Sequence, residues 1–124
     1  MSEPSTVEDL GAEDAKLVTL ARATRTRAAA AEGAAVRDET GRTYTAATVT
    51  LPSLDVSALQ LAVAMAASSG ARRLEAAAVV TEHPVPAPEE IALVRELGDG
   101  GAPIYVVALD GSLTDTVVAA GGAG

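Results

Sequence analysis

Val56-Ser57-Ala58-Leu59-Gln60-Leu61-Ala62-Val63-Ala64-Met65-Ala66-Ala67 carries no charge, and Gln60 is its main polar interruption. Ser53 or Asp55 can cap a helix running from about Val56 to Ser68. A helix that is apolar nearly all round belongs inside a domain or in a subunit interface. Gly70 follows as a natural C′ residue. Behind it, Leu74 to Thr81 (LEAAAVVT) reads as a buried strand.

Upstream, Glu13 to Glu32 has Leu17, Leu20, Ala21, Thr24 and Ala28 at helical spacing, and Gly33 ends the pattern. Ala34 to Arg37 and Thr43 to Val49 flank the polar loop Asp38-Glu39-Thr40-Gly41-Arg42, which predicts a β-hairpin with Gly41 serving the turn. Leu51-Pro52-Ser53 breaks the second strand. Downstream, the prolines of His83-Pro84-Val85-Pro86-Ala87-Pro88 exclude regular structure. Pro88 at N1, with Glu89 and Glu90 in the first turn, opens a helix through Leu97 that ends at Gly98. Ile104 to Leu109 reads as another buried strand, and Leu113 to Ala120 as a short closing element of either type. The order helix, hairpin, helix, strand, helix, strand implies a three-layer α/β fold, a mixed sheet with helices on both faces. Neither a repeat nor a linker interrupts it. The expected unit is one domain over residues 1–124, with loose tails at 1–11 and 120–124.

Composition narrows the chemistry. Of 124 residues 28 are Ala, and Phe, Trp and Cys are absent, so the core must be thin and closely packed. Without Cys there is no disulfide, thiol nucleophile or thiolate metal site. Nine Lys and Arg against 17 Asp and Glu give a net charge of -8, which disfavours phosphate backbones and anionic membranes. Two tyrosines offer little for stacking on bases. No nucleic-acid partner and no membrane are expected. Met1-Ser2-Glu3-Pro4 lacks the features of a signal peptide, and no 18-residue apolar run is present. A cytoplasmic protein is expected, and the excess of Ala, Gly, Val and Arg over a single Lys suits a GC-rich bacterial genome.

Several residues admit two readings. His83 with Glu89 or Glu90 could hold a weak metal site, or it is an exposed loop histidine. Glu89 and Glu90 could be catalytic acids, or carboxylates favoured in a helix's first turn. Ser57 as a nucleophile would need a base and an orienting group. Arg22, Arg25 and Arg27 form a basic strip for a partner or anion, or a solvated face. Tyr44 and Tyr105 lie in strands and should pack in the core with their hydroxyls hydrogen-bonded.

Order and local sequence together resemble the cytidine deaminase superfamily over roughly Leu17 to Leu109. Gly33-Ala34-Ala35-Val36 and Gly41-Arg42-Thr43-Tyr44-Thr45 are similar to its Val-Gly-Ala-Ala and Asp-Gly-x-x-Tyr-Thr-Gly segments. Val56 to Val63 is similar to the first zinc helix, Gly70 to Val80 to the loop and strand that follow it, and Pro86-Ala87-Pro88-Glu89-Glu90 to the second zinc helix. The family's chemistry needs three zinc ligands and a proton-shuttling Glu. Matched residue by residue, the first ligand reads Ser57, the Glu reads Leu59, and the two later Cys positions read Ala87 and Glu90. The sugar-binding Asn-x-Glu reads Thr48-Val49-Thr50, and no Phe exists to stack on a pyrimidine. These replacements imply no catalytic residue, no metal and no cofactor.

The expected protein is a catalytically inactive cytidine deaminase-like oligomeric scaffold or partner-binding protein. The family's small members are tetramers, so a homo-oligomer, tetramer or dimer, with Val56 to Ala67 at its interface is expected. The alternative is a nucleoside- or nucleobase-binding protein, or a divergent cytidine deaminase-type hydrolase with another site. Leu59 should point where the catalytic carboxylate would meet the base. A filled pocket there favours the scaffold, and an open one favours the binder.

Overall fold

A computed structural model describes residues 5–118. In chain order it contains α1 (Ala12–Ala28), β1 (Gly33–Asp38), β2 (Thr43–Ala47), β3 (Val49–Leu51), β4 (Leu54–Val56), α2 (Ala58–Ser68), β5 (Leu74–Val80), α3 (Pro88–Gly98), β6 (Pro103–Val107) and β7 (Leu113–Val118). The main sheet has the order β2-β1-β5-β6-β7, with β5 and β6 parallel and every other pair antiparallel.

Strand alternation divides the core in two. Ala35, Ala76, Ala78, Val80, Tyr105 and Val107 face α1, where Leu17, Val18 and Ala21 meet them. Ala34, Val36, Ala77, Val79, Ile104 and Val106 face the other way, against Leu59, Ala62, Val63 and Ala66 of α2 and Val94 of α3. The result is the expected three layers. Small Ala side chains on the strands let the helices lie close, and that compensates for the missing aromatics.

The α1 layer is also tied by polar groups. Tyr105 is buried and its hydroxyl donates to Asp14, and burial together with that carboxylate pushes the phenol's pKa well up. Arg37 Nε donates to Glu75 at 3.0 Å, while its Nη1 forms an ion pair 2.9 Å from Asp14 without hydrogen-bond alignment.

The boundaries differ from the sequence expectation in several places. α1 ends at Ala28, not near Glu32, because Ala29 takes the left-handed conformation (φ 52°) and its N–H returns to Arg25 and Thr26. Gly33 therefore does not cap α1. It opens β1 where a Cβ would lie 2.2 Å from the Ala21 carbonyl oxygen, so it permits close helix–sheet approach. α3 does end at Gly98 as expected, pressed against Ala102, with Asp99 as the left-handed cap (φ 54°).

Gly41 and Gly70 keep the turn and C′ roles read from the sequence, both at positive φ. Leu51-Pro52-Ser53 does not simply end a strand: it forms the tip of a β3–β4 ribbon pairing Leu51 with Leu54. The cap of α2 is Ser57, not Ser53 or Asp55. Residues 113–118 form an edge strand beside β6, and Ala119 and Ala120 lie outside the described residues. The N-terminal tail is ordered in part, because Asp9 accepts the N–H groups of Ser5 and Thr6 around a 3-10 turn at Val7–Asp9. Residues 1–4 and 121–124 are likewise outside the described set.

Candidate functional site

The N-termini of α2 and α3 open toward one another beside the carboxyl end of β5. Open α/β sheets place their crevices at such strand ends. A surface cavity of about 340 Å³ lies there, lined by Ser57 and Gln60 of the α2 start, Val79 and Thr81 at the end of β5, His83, Val85 and Pro86 of the connection, Ala87, Glu89 and Glu90 of the α3 start, and Glu32. The volume is at the lower end of small-molecule sites.

Both helix ends are closed by their own side chains. Ser57 Oγ accepts the Gln60 N–H at 3.1 Å, and Gln60 Oε1 accepts the Ser57 N–H at 3.0 Å, a reciprocal capping box. At α3, Ala87 has no acceptor, and Glu90 Oε1 reaches back to the Ala87 N–H at 2.8 Å. Pro88 occupies the first turn, where its missing N–H leaves no ladder bond unmade. The local sequences Ser-x-x-Gln and Ala-Pro-Glu-Glu dictate these arrangements without help from the rest of the chain.

Thr81 is 4 % exposed and links the two sides of the crevice. Its Oγ1 donates to Glu32 Oε2 at 2.6 Å and accepts the His83 N–H at 3.0 Å. Thr48 braces the same corner: its N–H donates to the Glu32 carbonyl at 3.2 Å and its Oγ1 accepts the Glu32 N–H at 3.0 Å. Glu32, Gln60 and Thr81 were not singled out from the sequence. In the sequence Glu32 falls at the end of the helical pattern, and its one local signal is a carboxylate entering a buried strand.

The structure brings Ser57, His83, Ala87, Glu89 and Glu90 to one cavity. Leu59 does not face it: the side chain is fully buried in the core between α2 and the sheet. Position 59 lies on the inward face of α2, with Val63 and Ala66. Thr50 is exposed on β3 and, like Thr48, is not part of the lining. Tyr44 is half-buried and donates to Asp38 at the opposite end of β1. Of the basic strip, Arg25 Nε donates to the Ala31 carbonyl and the Arg22 guanidinium lies over Gly111, so both contribute to local structure. Arg27 is exposed.

The donor set at the helix ends does not fit a tetrahedral zinc ion. Positions 57, 87 and 90 offer a hydroxyl, a methyl and one carboxylate, the two polar groups already engaged in capping, where zinc sites use Cys, His and carboxylate ligands. Among the described residues no three His, Cys, Asp or Glu side chains converge on a common metal position.

These features define a three-layer α/β protein with its crevice between two helix N-termini. The family model described as cytidine deaminase-like matches residues 10–111, and the chain belongs to that family. Among solved structures, cytidine deaminase from Burkholderia pseudomallei aligns with TM-score 0.73 at 24 % identity, covering 84 % of this chain and 91 % of that one. Cytidine deaminase from Mycobacterium leprae aligns with TM-score 0.62 at 22 % identity over 80 % and 90 %. The Mycobacterium tuberculosis cytidine deaminase gives 0.62 at 25 % identity over 72 % and 80 %. No curated protein matched. Among the described residues no helix is long and apolar enough to cross a membrane.

Proposed function

We propose that this chain is a cytidine deaminase-like protein without zinc-dependent deamination, acting by binding rather than by chemistry. Matched to the family's motifs, Ser57, Ala87 and Glu90 stand at ligand positions and Leu59 at the proton-shuttle position. One observation carries the reading: the polar groups at those positions, Ser57 and Glu90, are engaged in closing the N-termini of α2 and α3, and Leu59 is buried in the core. A leucine cannot move a proton between water and a base. The cavity at the two helix ends is large enough for a small molecule, which supports a ligand-binding role. The test is elemental analysis of the purified chain together with ammonia release from cytidine and deoxycytidine. Neither zinc near one per chain nor deamination is expected, and either would overturn the reading. Binding is tested by titrating cytidine and cytosine calorimetrically.

A second reading, assembly with copies of itself, is favoured by α2. Its outward residues Ala64, Met65 and Ala67 are exposed and uncharged, and Leu51 and Leu54 stand 58 % and 50 % exposed on the neighbouring ribbon. Exposed apolar side chains on both elements are candidates for an interaction site. The proposed unit is one cytoplasmic domain forming a dimer or tetramer. Light scattering is expected to report an oligomer that Met65→Glu dissociates; a wild-type monomer at micromolar concentration would rule assembly out.

A further inference from the structure

The chemistry of the cavity lining specifies more than its existence. Glu32, Glu89 and Glu90 all line it, and neither Lys nor Arg does. Two helix N-termini contribute about +0.5 charge each. Three carboxylates at about -1 each outweigh them, so the lining carries a net negative field, with His83 the one residue there able to hold a positive charge.

Glu32 is the best oriented of the three. Thr81, itself buried, holds Oε2 at 2.6 Å, and among the described residues no group donates to Oε1. A carboxylate has about four lone-pair sites, so most of its accepting capacity is unused. Glu90 has one oxygen committed to the Ala87 N–H, and no described group donates to the other. Val79, Val85, Pro86 and Ala87 supply an apolar wall beside these acceptors. An oriented carboxylate beside an apolar wall matches a ligand with a cationic, N–H-bearing head and a compact apolar body.

We propose that the cavity binds a small organic cation carrying N–H donors, an amine, amidine or guanidine, with Glu32 as its anchoring carboxylate. This rests on the reading of the cavity as a ligand pocket. Anions are repelled, and a neutral molecule of the same shape lacks the charge-assisted hydrogen bonds.

The experiment uses the full chain and three matched probes: benzamidine, neutral benzamide and anionic benzoate. Calorimetry and amide chemical shifts are read for wild type and for Glu32→Gln/Glu89→Gln/Glu90→Gln. The triple variant removes charge while keeping the observed bonds, because a Gln carbonyl still accepts from Thr81 at position 32 and from the Ala87 N–H at position 90. Benzamidine is expected to bind with shifts centred on Thr81, His83 and Val85, at least tenfold tighter than benzamide or benzoate, and the variant to lose at least tenfold. Equal binding of benzamide, an unchanged affinity in the variant, or shifts centred elsewhere overturns the proposal. If cytidine binds and benzamidine does not, the pocket reading stands and the cation class fails. If none of the probes nor cytidine binds, the pocket reading fails and the proposal fails with it.

Discussion

Two carboxylates stand at opposite ends of β1, and they are used differently. Asp38 closes the strand at 2 % exposure. Its Oδ1 accepts the Thr40 N–H at 2.9 Å, the Thr40 hydroxyl at 2.7 Å and the Arg42 N–H at 3.1 Å, and its Oδ2 accepts the Tyr44 hydroxyl at 2.8 Å. Burial pushes this carboxyl's pKa up, but the hydrogen bonds outweigh it and hold the group below the ordinary range. Glu32, just ahead of the same strand, has a single side-chain donor and faces a cavity. A saturated buried carboxylate is an internal brace of the hairpin. An unsaturated one beside open space is available to something outside the chain.

The contrast is broken most directly by deletion. Asp38→Ala removes the acceptor of four hydrogen bonds, three donors of which belong to the exposed Thr40 and Arg42 and can turn to water. It is expected to cost about 3 kcal/mol in chemical denaturation, since a hydrogen bond to a charged group is worth about 1.5–3 kcal/mol. If Glu32→Ala costs as much, the distinction between brace and open acceptor is wrong. Tyr44→Phe removes one of those four donors and is expected to cost about 1–2 kcal/mol. The pH dependence sharpens the comparison further. Asp38 has a depressed folded pKa, so its contribution is fully present above the unfolded carboxylate value of about 3.9 and disappears as pH falls through the lower folded value. Acid titration of Asp38→Asn should therefore show a shallower loss of stability than wild type, and an identical acid limb would sink this assignment.

Smaller effects are expected at the cavity end. Ser57→Ala removes one half of the α2 capping box and should cost about 1 kcal/mol. A strong chelator should leave the melting curve of wild type and of Ser57→Ala unchanged, and a downward shift reversed by zinc would show that these positions still hold metal. Glu32→Gln retains the Thr81 bond and should stay within about 0.5 kcal/mol of wild type, the smallest effect of the set.

Much of the architecture was legible in local pattern. The uncharged run from Val56 to Ala67, the buried LEAAAVVT strand, the Gly41 hairpin and the Pro88 helix start each follow from side-chain chemistry within a few residues. The end of α1 was less legible, because Gly33 reads as its stop while Ala29 adopts the left-handed conformation. Gly33 answers to a neighbouring helix pressed against it, which a local reading cannot contain.

The amino-acid order by itself determined most element types, the three-layer class, the lack of any thiol and the Pro88 start of α3, since these depend on composition or on contacts a few residues apart. The cap of α2, by contrast, fell to Ser57 and not to Ser53 or Asp55 only once the β3–β4 ribbon had formed. Only the tertiary structure decided that Leu59 turns into the core instead of the cavity, and that Glu32 meets Thr81 across 49 positions of sequence. Such pairings are set by how strands and helices stack. The crevice exists only where β5 ends and α2 and α3 begin side by side.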